Sequence, residues 1–143
     1  MERNEVTVTA LDKRYKKLEK DLAAKTQKVL LFLRQSGVGV EVYLTGSPKM
    51  RQLNRQYRGR DETTGVLSFG APEDFPKTSP NFLGEVYLCP SYIGRHHKDI
   101  QALLAHGILH LLGFNHARLS DRITMGKVEE AVAAFIRERS ERV

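Results

Sequence analysis

The chain is 143 residues long, with 23 Lys and Arg against 17 Asp and Glu for a formal net charge of +6, and it is 41% hydrophobic and 28% charged. That length fits one domain over residues 1–143, the composition excludes a disordered or fibrous chain, and the most apolar windows, Val29 to Leu33 and Leu103 to Leu112, fall far short of the roughly 20 residues a membrane span requires. Cys89 is the one cysteine, so no internal disulfide can form, and the polar N-terminus lacks a secretory signal pattern, which together lead us to expect a cytoplasmic protein.

Val6, Val8 and Ala10 alternate with polar neighbours and predict a first strand. Apolar residues from Leu11, Tyr15, Leu18 and Leu22 through Val29, Leu30 and Leu33 recur at three and four, which predicts one long amphipathic helix stopped at Ser36-Gly37. Val38, Val40, Val42 and Leu44 alternate again and predict a strand ending at Thr45-Gly46. Ser47 before Pro48 reads as an N-cap opening a short helix with Met50, Leu53, Asn54 and Tyr57 on one side, and Arg51 and Arg55 together on another. Val66 to Phe69 reads as a strand. Gly70 to Asn81, which holds three of the five prolines, reads as a loop, and Val86 to Cys89 as a strand broken at Pro90. A short helical turn over Ser91 to Arg95 precedes a helix from about Lys98 to Leu112, and a last helix begins near Ser120 with Ile123, Val128, Val132 and Phe135 inward. The expected fold is α+β: a mixed sheet of about four strands packed with four or five helices, with a metal site at the end of a central helix.

That site is read from His106, His110 and His116. Two histidines four apart project from one helix face about a turn apart and can reach one ion at roughly 2.0–2.1 Å. His116, six residues beyond His110, would sit about 9 Å further along a continued helix, so the chain must turn back after Leu112, and Gly113 stands where a left-handed C-terminal cap permits it. Three imidazoles leave a fourth position open, as in catalytic zinc sites; zinc is the first expectation for this divalent ion, with nickel as an alternative. The same offsets occur in the metzincin protease motif, but the glutamate that follows its first histidine is Gly107 here, which argues against peptide hydrolysis. His96 and His97 read as surface residues, and Cys89 as a small buried hydrophobe.

The run H-G-I-L-H-L-L-G-F-N-H from His106 to His116 resembles the hallmark H-G-x-L-H-L-x-G-Y-D-H of the bacterial endoribonuclease and ribosomal-RNA maturation family called YbeY. Leu53-Asn54 through Tyr57-Arg58 and Asp61 to Val66-Leu67-Ser68-Phe69 is similar to that family's L-N-x-x-Y-R-x-x-D-x-x-T-N-V-L-S-F, and Leu83-Gly84-Glu85 through Cys89 to its L-G-D-x-x-I-C. The resemblance implies a single-strand-specific, metal-dependent endoribonuclease acting on an rRNA precursor in 16S rRNA maturation, ribosome biogenesis and ribosome quality control. It implies His106, His110 and His116 as metal ligands and Arg58 as the catalytic arginine. It further implies that Glu85 contacts partners on the small ribosomal subunit, namely a platform ribosomal protein and an assembly GTPase. The chain departs from the pattern at Asn115 and Glu85, both aspartate in the family, at Gly65 for asparagine and at Thr63 for proline. The alternatives are a non-catalytic metal-binding ribosome-assembly factor, or a metal-dependent hydrolase of another substrate.

Overall fold

In the computed structural model, residues 2–78, 80–114 and 119–141 are described. The alternating segments become β1 (Glu5–Ala10), β2 (Val38–Leu44), β3 (Val66–Gly70) and β4 (Asn81–Leu88), joined in one sheet of order β1-β2-β4-β3. β1, β2 and β4 run parallel, and β3 pairs antiparallel with β4 at the sheet's edge. This is the mixed sheet expected from the sequence.

The period-two pattern gives the sheet two different faces. Val40, Val42 and Leu44 of β2 and Val86 and Leu88 of β4 are buried against Leu30 of α1 (Glu19–Phe32), Leu104 and Ile108 of α4 (Ile100–Leu111), and Val132 and Ile136 of α5 (Leu119–Glu141). On the opposite face, at the β3–β4 side, α2 (Ser47–Arg58) seats Met50 and Leu53 against Leu67 and Cys89. The short α3 (Pro90–Arg95) connects β4 to α4. Cys89 is fully buried, in keeping with the inert role expected of it. Among the described residues no helix is long and apolar enough to cross a membrane.

Four local expectations are corrected. The long first helix opens as a 3-10 segment, Lys13–Leu18, whose Tyr15 and Leu18 pack only partly buried against the core, and the α winding begins at Glu19. The N-cap of α2 is Gly46 rather than Ser47, which is already helical. β4 begins at Asn81, five residues before the expected Val86; Gly84, with φ +143°, and a register shift opposite Gly39 and Val40 break the alternation that would have revealed it. In α5 the buried stripe runs through Met125, Val132 and Ile136, and Ile123 is 51% exposed because two residues before Met125 lies about 200° round the helix.

Candidate active site

α4 starts where the Asp99 carboxylate accepts from the backbone N–H of Gln101 at 2.9 Å, leaving one carboxylate at the positive end of the helix. One face of α4 lies so close to the sheet that a Cβ on Gly107 would stand 2.8 Å from Val86 Cγ1 and 3.0 Å from Ser68 Oγ. Ser68 Oγ donates to the Gly107 carbonyl at 2.9 Å, locking that approach. Position 107 therefore points into the sheet and has no room for a side chain. A glutamate there would collide with β3 and β4, which adds a steric reason to the missing carboxylate for setting the protease reading aside.

His106 and His110 lie on the side of α4 that borders a cleft of about 420 Å³. Their ring centroids are 4.9 Å apart with an interplanar angle of 69°. Two imidazoles sharing a tetrahedral ion at roughly 2.0–2.1 Å place their centroids about 5 Å apart, so this donor pair fits such an ion. α4 ends as the spacing predicts: Gly113 has φ +102°, its N–H bonds the His110 carbonyl at 3.0 Å, and the Phe114 N–H bonds Leu109 at 3.2 Å. This is the paired-bond cap that turns a chain off its helix. Asn115 and His116 lie outside the described residues. Among the described residues no group of three or more His, Cys, Asp or Glu side chains is placed to hold a metal.

His106 has a partner that no motif announced. Its Nδ1 lies 2.5 Å from Glu129 Oε1, delivered by α5 from 23 positions along the chain. A carboxylate accepts, so in the neutral ring this contact puts the imidazole proton on Nδ1 and makes Nε2 the nitrogen that could ligate a metal. Glu129 stands among Lys127 and Glu130 in a charged stretch of helix, and nothing in the sequence distinguishes it from a solvated residue.

The cleft follows the free edge of β3. On one side stand the two histidines; on the other, the last turn of α2 brings Tyr57 and Arg58; Val66, Leu67, Ser68 and Phe69 form the floor. Gly59, with φ +70°, ends α2, and its N–H bonds Arg55 at 3.1 Å, so Arg58 projects from the final turn. Arg58 is exposed and enters no ion pair among the described residues, whereas Arg51 is held by Asp61 through bonds of 2.9 and 3.2 Å. The loop after Arg58 is tied down by Asn54, whose amide donates to the Glu62 carbonyl at 2.8 Å. Gly65 is buried in that loop, and a Cβ on it would meet Leu103 Cδ1 at 3.0 Å.

Glu85 lies elsewhere, beyond the residues lining the cleft. It pairs in register with Glu41 on one side and Phe69 on the other, on the face of the sheet that carries α2. Burial, then the neighbouring Glu41 charge, push its carboxyl above the ordinary range. Burial and the hydrogen bond to Glu41 at 2.9 Å push the Tyr43 hydroxyl up to about 12. His96 and His97 are exposed, as expected, and His96 stacks on Tyr92 at 3.9 Å, away from the cleft.

The family model described as Endoribonuclease YbeY matches residues 2–137. Curated proteins named Endoribonuclease YbeY are similar to this chain. The one from Persephonella marina is 37% identical over 100 residues, covering 64% of this chain and 65% of the relative. That from Anaeromyxobacter sp. is 32% identical over 120 residues, covering 78% and 62%, and that from Thermodesulfovibrio yellowstonii 33% over 132 residues, covering 86% and 79%. The chain thus spans 65% and 62% of the lengths of the first two. The solution structure of a Thermotoga maritima protein matches with a TM-score of 0.57 and 26% identity, covering 94% of this chain and 93% of that one.

Proposed function

The chain belongs to the endoribonuclease YbeY family, and on that premise we propose that it cleaves single-stranded RNA with the help of one divalent transition metal. The observation that carries this reading is the convergence of His106, His110 and Arg58 on one cleft along the edge of β3. His106 and His110, joined by His116, are the residues that would hold the ion, zinc before nickel because three imidazoles suit both and zinc is the commoner. When bound, such an ion supplies Lewis acidity toward a phosphodiester. Arg58 contributes a guanidinium that forms no ion pair among the described residues and can grip a phosphate with two parallel hydrogen bonds and offset the charge that grows on its oxygens. Glu129 holds the His106 ring in one tautomer and one orientation.

The finer biology follows from the family. We take the substrate to be an rRNA precursor, and the setting to be 16S rRNA maturation, ribosome biogenesis and quality control in the cytoplasm. Glu85, beside Glu41 and outside the cleft, is the group we assign to contacts with a platform ribosomal protein and an assembly GTPase on the small subunit.

One observation favours the second reading, a metal-binding assembly factor without catalysis. The described residues lining the cleft include no carboxylate, and Glu129 is engaged by His106, so among the described residues no carboxylate stands ready there as general base. The test is cleavage of a single-stranded oligoribonucleotide by rigorously nuclease-free protein, alongside elemental analysis. Under the first reading wild type cleaves, and Arg58→Ala lowers the rate about a hundredfold or more. Pre-ribosome binding without cleavage by wild type would hand the case to the second.

A further inference from the structure

Tyr57 immediately precedes Arg58 and lines the cleft that His106 and His110 border, yet 59% of its surface is exposed. Sequence periodicity put it on one side of α2 with Met50, Leu53 and Asn54, all three of which are buried. Tyr57 instead leaves a large aromatic ring open to solvent at the mouth of the cleft.

The ring is nevertheless held. The Phe69 ring meets it at 5.0 Å and 64°, Tyr87 meets Phe69 at 5.6 Å and 80°, and Tyr43 stacks on Tyr87 at 4.9 Å and 22°. These supports come from β3, β4 and β2, so an aromatic row rooted in three strands fixes the orientation of its exposed end. Close by in sequence, Arg55, Arg58 and Arg60 are all exposed, and the chain as a whole carries +6. A fixed ring beside a concentration of guanidinium groups matches a ligand with a flat π surface attached to a phosphate backbone. Of the two carboxylates on the same sheet face, Glu41 bonds Tyr43 at the far end of the row and Glu85 pairs with Phe69 in its middle, and neither lines the cleft at the Tyr57 end, which is where such a ligand would sit.

We propose that Tyr57 is a stacking platform for one unpaired nucleobase of the RNA, seated next to the phosphate that Arg58 grips. The proposal rests on the RNA-cleavage reading and deepens it: a base in a duplex has both faces covered, so a site that requires one open face selects single strands. Stacking tolerates any base, so the platform confers strandedness rather than sequence preference.

The test uses a 2′-O-methyl oligoribonucleotide, which lacks the free 2′-hydroxyl, carrying 2-aminopurine at successive positions, and full-length protein with its metal. Wild type should quench the fluorescence at one position and bind the single strand about 5- to 100-fold more tightly than Tyr57→Ala, with Tyr57→Phe within about twofold of wild type. Binding to the matching duplex should be the same for all three, and an unchanged circular dichroism spectrum would exclude misfolding. Equal affinity and equal quenching in Tyr57→Ala would overturn the proposal, as would a parallel loss of duplex binding, which would mark a general electrostatic or structural role. If wild type binds no single strand, the RNA reading itself falls, a result distinct from a Tyr57-independent interaction.

Discussion

Glu129 Oε1 and His106 Nδ1 meet at 2.5 Å across the α4–α5 interface, with both side chains about one-fifth exposed. This contact fixes which nitrogen of His106 carries the proton, and so which one is offered to the cleft. Replacing Glu129 with glutamine keeps the size of the group but lets the amide present either oxygen or nitrogen to the ring. Outer partners of this kind typically matter about 10- to 100-fold in metal affinity. Zinc affinity of Glu129→Gln, measured by competition with a chromophoric chelator, should fall by that factor while the thermal melt of the metal-free protein stays close to wild type. An unchanged affinity would reduce the contact to packing between two helices.

His110 stands one turn from His106 on the same side of α4, and its ring can share an ion with it. Replacement by alanine should remove stoichiometric metal from purified protein and remove cleavage with it. Mass-spectrometric metal analysis and a cleavage assay on the same sample make the check. Full activity in a metal-free His110→Ala sample would sink the metal scheme.

Gly107 is pressed against Val86 and Ser68, and the added methyl of Gly107→Ala would have to displace one of them. Overpacking of this sort costs about 1–3 kcal/mol, and the better helix propensity of alanine returns about 1 kcal/mol at most. With that full return, urea denaturation should show a net loss of up to about 2 kcal/mol. A more stable variant would mean that α4 can lift from β3 and β4 without penalty.

Glu85 and Glu41 face the same side on adjacent parallel strands, and burial together with that neighbouring charge raises the Glu85 carboxyl in the folded state. A raised acid binds its proton more tightly when folded than when unfolded, so ionising it opposes folding; the penalty is absent below the ordinary carboxylate range and grows as pH climbs through the raised value. Glu85→Gln should accordingly stabilise the protein by about 0.5 kcal/mol at neutral pH, since solvent screening keeps the effect small, and by nothing near pH 3. Denaturation midpoints of both proteins across that range give the comparison. A stabilisation that persists unchanged at low pH would point to packing rather than charge.

Much of this protein follows from local pattern. The alternation of Val38, Val40, Val42 and Leu44 survives as β2 because each of those side chains is buried on one face, and the spacing of His106 and His110 survives as a shared border of the cleft because four residues make one helical turn. The Gly113 turn was legible for the same reason: a backbone conformation that disfavours a Cβ leaves a glycine in the sequence. What local pattern could not carry was whatever depends on one element meeting another. β4 hid behind Gly84, whose place is set by pairing with β3; Tyr57 shares a helix side with Met50 and Leu53 by period, yet they are buried and it stands open at the last turn of α2; and Glu129 reaches His106 only because α5 packs along α4. Sequence determines periodicity, and so which residues share a face. Which distant residue stands opposite that face is decided by how the helices and sheet pack, since only packing can bring side chains 23 positions apart within one hydrogen bond.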